Sequence, residues 1–318
     1  MSTPGPFPRF ELQGHRGARG LKPENTLPAF EVAFDLGVAT VETDVHLTAD
    51  RIPILCHDAN VSDRLCRAIP GSGAVELSMH PRVSSLTLMQ MRQYRADVNP
   101  DPSRFPQQDN QTTPLALWYA QRQGIDAFTP PTLADLFAFA TAYVGDPGRM
   151  VGKTGKQQAQ ADKVRFDLEL KRVPFRPAVI GDSFDGQTPS ILEQRVIQAA
   201  REANMLDRTC FRSFDHRCVR ILGELAPEIT RAILVAGTAP VSPAELVRQA
   251  GAHVYCPDFE FLDELQVKQV HREGLRVVPW TVNEPADWQR LLDWGVDGIT
   301  TDFPDRLEEF LSAKGIVY

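Results

Sequence analysis

The feature that most narrows the folding options of this chain is a regular alternation of short apolar runs with amphipathic stretches of helical length. Leu12–His15, Thr40–Val45, Val164–Leu170, Thr209–Phe214, Thr230–Val235, His253–Pro257, Leu275–Val282 and Gly298–Thr301 predict strands. Between and after them, Leu27–Leu36, Thr132–Tyr143, Pro189–Ala203, His216–Leu225, Pro243–Gln249, Leu262–Glu273, Ala286–Trp294 and Pro304–Ala313 predict helices. A helix between two strands is a crossover, and crossovers join parallel strands. Eight such strands are the count of a (β/α)8 TIM barrel. Ile52–His57 reads as a further strand, but only Leu47–Arg51 separate it from the second one. That is too short for a crossover, so the pair is expected to form an antiparallel hairpin that folds a histidine back over the barrel mouth.

A chain of 318 residues that is 42% hydrophobic can close one large core, so residues 1–318 are expected to form a single barrel domain. Residues from about 59 to 129 are too long for an ordinary connection and carry Pro70-Gly71-Ser72-Gly73 and the polar, proline-bearing Asn99–Pro114. They read as an insertion at the barrel mouth. Gly145–Lys163, rich in Gly, Lys and Gln, reads as a mobile loop. The net charge of −7 arises from 34 basic and 41 acidic residues with no Lys/Arg block, which argues against a nucleic-acid partner. No apolar run reaches the length of a membrane span, so no stable membrane insertion is expected. Met1–Pro8 has neither a basic nor an apolar leader region. With five cysteines and no C-x-x-C pair, this points to a reducing, cytoplasmic setting, or a periplasmic or secreted one if a signal has been removed. The proline-rich insertion leaves a homodimer open.

Polar residues concentrate at the ends of the predicted strands, where barrel enzymes build their sites. His15-Arg16-Gly17 follows the first, Glu42-Thr43-Asp44 lies on the second, His57-Asp58 ends the hairpin, and Glu169-Leu170-Lys171 ends the third. The order suggests a metal site flanked by an acid and a base. Glu42, Asp44 and Glu169 supply hard oxygen donors suited to Mg²⁺ or Ca²⁺, and the lack of clustered cysteine argues against structural zinc. Lys171 shares a strand face with Glu169 and can hold an anionic oxygen. Glu24 and Asn25 are expected to brace the loop after the first strand and cap the next helix. Trp280 and Phe214 read equally as substrate wall or as core, and Asp302 as structural.

Taken together, His15-Arg16-Gly17, Pro23-Glu24-Asn25-Thr26, Glu42-x-Asp44, His57-Asp58, Glu169-x-Lys171, Trp280-Thr281-Val282-Asn283 and Asp297-Gly298-Ile299-Thr300-Thr301-Asp302-x-Pro304 resemble the glycerophosphodiester phosphodiesterase family of phospholipase-C-like barrels. The resemblance implies an insertion between the second strand and the second helix. It implies His15 and His57 as general acid and base, Glu42, Asp44 and Glu169 as ligands of one divalent cation, and Arg16 and Lys171 as phosphate-binding groups. The reaction implied is hydrolysis of glycerophosphodiesters, such as glycerophosphocholine and glycerophosphoethanolamine, to glycerol 3-phosphate and an alcohol. Either water attacks directly, or a glycerol hydroxyl attacks first to give a cyclic phosphate.

In one place the chain departs from the pattern: Asp50-Arg51 stands where the hairpin turn usually has Asp-Gly, which implies a different turn type. His46, His80, His216, His253 and His271 match no family role and read as bystanders. A lysophospholipase D-like enzyme would share the metal site but need an apolar groove, for which Phe105, Leu115, Leu117 and Trp118 are candidates. Two weaker readings are a non-catalytic phosphate-binding barrel and a carbohydrate-active barrel. The first leaves intact histidines unexplained, and the second leaves His57 and Lys171 without work.

Overall fold

The computed structural model describes residues 8–318, so all but the last residue of the Met1–Pro8 leader reading lies outside the described residues. The strands are β1 (Glu11–Gly14), β2 (Thr40–Leu47), β3 (Pro53–Leu55), β4 (Arg67–Ala68), β5 (Tyr94–Arg95), β6 (Arg165–Leu170), β7 (Thr209–Ser213), β8 (Thr230–Val235), β9 (Val254–Pro257), β10 (Arg276–Val277) and β11 (Gly298–Thr301). Eight of them run parallel in the order β10-β9-β8-β7-β6-β2-β1-β11. The two ends of this sheet meet through Asp297 N to Val277 O at 2.9 Å, Thr300 N to Pro279 O at 3.0 Å and Val282 N to Thr300 O at 2.9 Å. The result is a nearly closed TIM barrel with its helices outside, as the alternation predicts.

The strand predicted over Leu275–Val282 shrinks to β10, because Pro279 cannot donate to a ladder and the chain beyond it bonds irregularly to the β11 segment. As expected, β3 folds back antiparallel on β2, pairing Val45 with Leu55 and Leu47 with Pro53. The turn between them corrects the expectation drawn from Arg51. Arg51 adopts the left-handed conformation at φ 65° that glycine would take, and its Nη1 donates to the Gly181 carbonyl at 2.6 Å. Arginine thus keeps the positive-φ turn and ties the hairpin to the loop after β6.

The main core fills the space between barrel and helices, with Leu12, Phe30, Val41, Phe137, Phe166 and Trp288 among its buried members. The first helix, Leu27–Leu36, begins at Thr26, whose hydroxyl accepts from Ala29 N at 3.4 Å, and closes at Gly37 with φ 71°. Its N-cap is therefore Thr26 and not Glu24 or Asn25. The Gly145–Lys163 segment is also not the loop expected. It forms the short helices Asp146–Met150 and Gly155–Ala161, too brief for periodicity to reveal. Gln158 Nε2 donates to the carbonyls of Tyr143, Val144 and Gly145 at 3.0, 3.0 and 2.8 Å, satisfying the end of the helix before it.

Between β3 and the helix Leu133–Val144, the ribbon of β4 and β5 closes a second apolar cluster with Ile54, Val61, Cys66, Val83, Leu86, Met91 and Tyr94. The helix Pro114–Gln123 instead buries Leu115, Ala116 and Tyr119 in the main core. All five cysteines are unpaired thiols. Among the described residues no helix is long and apolar enough to cross a membrane.

Directly beyond β6, the buried guanidinium of Arg172 meets both oxygens of Asp182, at 2.9 and 2.6 Å, and also bonds Glu193, over the face of Phe184. Glu193 belongs to the capping box of the helix Ile191–Glu202, so one side chain ties the end of β6 to that helix. Arg172→Ala leaves two buried carboxylates uncompensated and is expected to cost ~3–5 kcal/mol in urea unfolding. A loss under ~1 kcal/mol, the range of an exposed pair, would contradict that reading.

Candidate active site

The C-terminal ends of β1, β2 and β6 bring together the residues singled out from the sequence. Alternation along β2 puts Glu42 and Asp44 on one face, and the parallel register with β6 sets Asp44 beside Glu169. One carboxylate oxygen from each of Glu42, Asp44 and Glu169 lies within 4.8 Å of the others, and all three residues are buried. Three anions this close cannot all sit comfortably without a cation. Burial pushes the Glu42 carboxyl up to about 8; Arg212 opposes this, while Asp44 and Glu169 reinforce it. Against the same burial, Lys171 and Arg16 hold Asp44 well below the usual carboxylate range. Lys171 Nζ lies 2.7 Å from Glu169 and 3.3 Å from Asp44, and those two carboxylates raise its pKa despite burial.

Arg212 is one residue that sequence reasoning missed. Fully buried inside the barrel, it places one nitrogen 3.0 Å from Glu42 and another 3.0 Å from Asp167. A signal existed, since Cys210, Arg212 and Phe214 share one face of β7 by period-two alternation. Phe214 and Trp280 meet edge to face with centroids 5.6 Å apart, half-buried over the apolar interior of the barrel.

His15 follows β1, its backbone N held by the Thr301 carbonyl at 2.9 Å. Its Nδ1 lies 2.6 Å from Asp302 Oδ1, and Asp302 Oδ2 accepts from Asn283 Nδ2 at 2.9 Å and Arg104 Nη2 at 2.8 Å. Burial opposes ionisation of Asp302, but His15 and the arginines outweigh it and hold the group a carboxylate. A carboxylate on Nδ1 assigns the proton to that nitrogen and leaves the lone pair on Nε2, where Arg16 Nε donates at 3.2 Å. Burial and then Arg16 lower the His15 pKa to about 4, so it is neutral at pH 7. The structural role expected of Asp302 is thus too small, since it contacts His15 directly and sets its tautomer.

Arg16 sits at φ 52°, with Nη1 2.6 Å from Glu24 and Nε 3.3 Å from Asp44. Glu24 also takes Arg19 at 2.7 Å, while Asn25 donates to Asp44 at 2.9 Å and accepts from Thr43 at 2.7 Å. The pair thus fixes Arg16 and Asp44 and does not cap the helix. His57 follows β3, its Nδ1 2.7 Å from Asp58, and it is about one-third exposed. Its backbone carbonyl lies 3.1 Å from His46 Nε2, so the buried His46 steadies the His57 loop and is no bystander.

The candidate apolar groove does not assemble. Phe105 is buried beneath Arg19 and against Phe303, Leu115 lies in the main core, and Trp118 packs under Arg122. From the insertion, Arg104 reaches the site through Asp302. Charged side chains on proline-bearing loops carry no periodic signal, so sequence reading had no means of finding this contact.

Comparison with known proteins places this geometry among relatives. The model of the Glycerophosphoryl diester phosphodiesterase family matches residues 15–306. A glycerophosphodiester phosphodiesterase of Caldanaerobacter subterraneus subsp. tengcongensis is 25% identical over 303 residues, 95% of this chain and 97% of that protein. Among solved structures, a Silicibacter pomeroyi protein described as a glycerophosphoryl diester phosphodiesterase is 28% identical with a TM-score of 0.76, covering 99% of this chain and 97% of its own. An Oleispira antarctica phosphodiesterase solved in complex with the product sn-glycerol-3-phosphate shares the fold at a TM-score of 0.66 and 19% identity, covering 94% of this chain and 96% of its own.

Proposed function

Because this chain belongs to the glycerophosphoryl diester phosphodiesterase family and is a phosphodiester hydrolase, we propose that it releases sn-glycerol 3-phosphate and a free alcohol from glycerophosphodiesters, with glycerophosphocholine and glycerophosphoethanolamine as test substrates. The observation that carries the reading is the buried cluster of Glu42, Asp44 and Glu169 with neutral His15 at its edge, Nε2 of the ring 3.9 Å from Glu42.

The donor set fits a hard divalent cation, Mg²⁺ or Ca²⁺: three carboxylate oxygens, with the Glu42 pKa raised first by burial and further by Asp44 and Glu169. Such an ion would be held by Glu42, Asp44 and Glu169 and would supply charge neutralisation at the phosphate oxygens. Lys171 and Arg16, beside the cluster, are assigned to bind those oxygens. A phosphate drawing on the Arg16 guanidinium would free the His15 Nε2 lone pair, which then accepts the proton of the attacking hydroxyl while Asp302 stabilises the imidazolium. His57, paired with Asp58, is the group assigned to protonate the leaving alcohol oxygen. Trp280 and Phe214 are assigned as an apolar wall for the glycerol carbons. The insertion at about 59–129 is assigned to complete this site from above, and the five free thiols support a reducing compartment.

Phosphorus-31 NMR of the reaction tests which bond breaks. Growth of the glycerol 3-phosphate resonance supports the assignment, whereas phosphocholine with free glycerol contradicts it. Arg104→Ala is expected to lower kcat about tenfold with KM little changed, since it removes one charged hydrogen bond from Asp302. Rescue by Arg104→Lys would separate this effect from a folding defect.

A further inference from the structure

The second apolar cluster does not pack solid. Between β3 and the ribbon of β4 and β5 lies a narrow cleft. Concave, mostly apolar clefts with a few polar groups at one end are the usual form of small-molecule sites. Its apolar lining includes Val61, Leu65, Val83, Met91, Ala96 and Val98. Its lining also includes His57, Asp58, Glu24 and Asn25, so it adjoins the proposed catalytic site. A leaving alcohol requires a proton donor, and His57 is among the residues that line this chamber.

From this juxtaposition we propose that the chamber is the leaving-group subsite and that it selects a compact, uncharged apolar alcohol over a cationic one. The proposal rests on the hydrolase reading above and adds the substrate class. A quaternary ammonium is recognised by aromatic faces or free carboxylates. No Phe, Tyr or Trp lines the chamber, and the two carboxylates in its lining are already engaged, Asp58 by His57 and Glu24 by Arg16 and Arg19. An alkyl or aryl group meets no such mismatch and replaces water against methyl and methylene surface. In the reaction the phosphorus–oxygen bond to the alcohol breaks as the attacking oxygen, its proton taken by His15, bonds to phosphorus. His57 delivers the proton to the departing oxygen.

Isothermal titration tests the proposal with phosphonate analogues of the butyl and choline esters of glycerol 3-phosphate, in which a carbon replaces the scissile oxygen. The butyl analogue is expected to bind about tenfold more tightly or better, the effect of roughly two buried methylenes. Ala96→Phe, which fills the chamber, is expected to abolish that preference, and Val98→Leu to reduce it should the first variant fail to fold. Equal binding of the two analogues, or a preference that survives filling, overturns the proposal. Failure of the hydrolase reading shows differently: no ester is turned over, yet the butyl preference persists.

Discussion

Replacing His15 by alanine is expected to cut kcat for glycerophosphodiester hydrolysis by ~10²–10⁴-fold, the usual contribution of a positioned acid or base. The ring is held from both sides, by Asp302 at Nδ1 and Arg16 at Nε2, and burial keeps it neutral. Its removal should leave the fold intact, because Asp302 retains Asn283 and Arg104 as partners. Steady-state rates beside a thermal melt check both halves. A variant that folds and turns over within threefold of the parent would remove His15 from the chemistry. His271, paired with Asp297 on the surface, supplies the control, and His271→Ala is expected to leave turnover alone.

Glu42→Gln is expected to abolish most turnover and yet stabilise the metal-free protein at high pH. Losing one of three carboxylates around a divalent ion is worth about 4 kcal/mol of transition-state stabilisation, roughly a thousandfold in rate. The stability effect follows from linkage. The Glu42 carboxyl titrates at about 8 in the folded chain against 4.5 when unfolded, so between those values the folded state holds the extra proton. Stability of the metal-free protein therefore falls as pH rises through that window. Glutamine, neutral throughout, should flatten this slope. Added Mg²⁺ or Ca²⁺ should raise the parent's Tm more at pH 8 than at pH 5, where protons compete for the ligand, and should raise the variant's much less. A metal-free Tm that is level from pH 5 to 8, or that rises, would contradict the crowded-carboxylate account.

Much of this was legible in the sequence because barrel strands and catalytic ends obey simple periodicities. The two-residue spacing of Glu42 and Asp44, and of Glu169 and Lys171, put each pair on one face, and the parallel register then joined them. What stayed hidden depends on contacts distant in the chain. Asp302 meets His15 across 287 residues through the closure of β11 on β1, and Arg104 reaches Asp302 from an irregular loop. Arg51 misled in the opposite sense: its residue type argued against a left-handed turn, but the bond to Gly181 holds it there at the ~1–2 kcal/mol cost of that conformation. The brief helices after Gly145 fell below the length at which hydrophobic period can be recognised.

The central claim is that the Glu42–Asp44–Glu169 cluster and the histidines at its edge make a cation-dependent phosphodiesterase. Release of sn-glycerol 3-phosphate from glycerophosphocholine and glycerophosphoethanolamine by chelator-stripped protein, before and after Mg²⁺ or Ca²⁺ is restored, tests it most directly. The expected result is negligible release after stripping, recovery with at least one of the two ions, and no recovery in Glu42→Gln. Release that is unchanged by stripping, or absent under both ions, would contradict it.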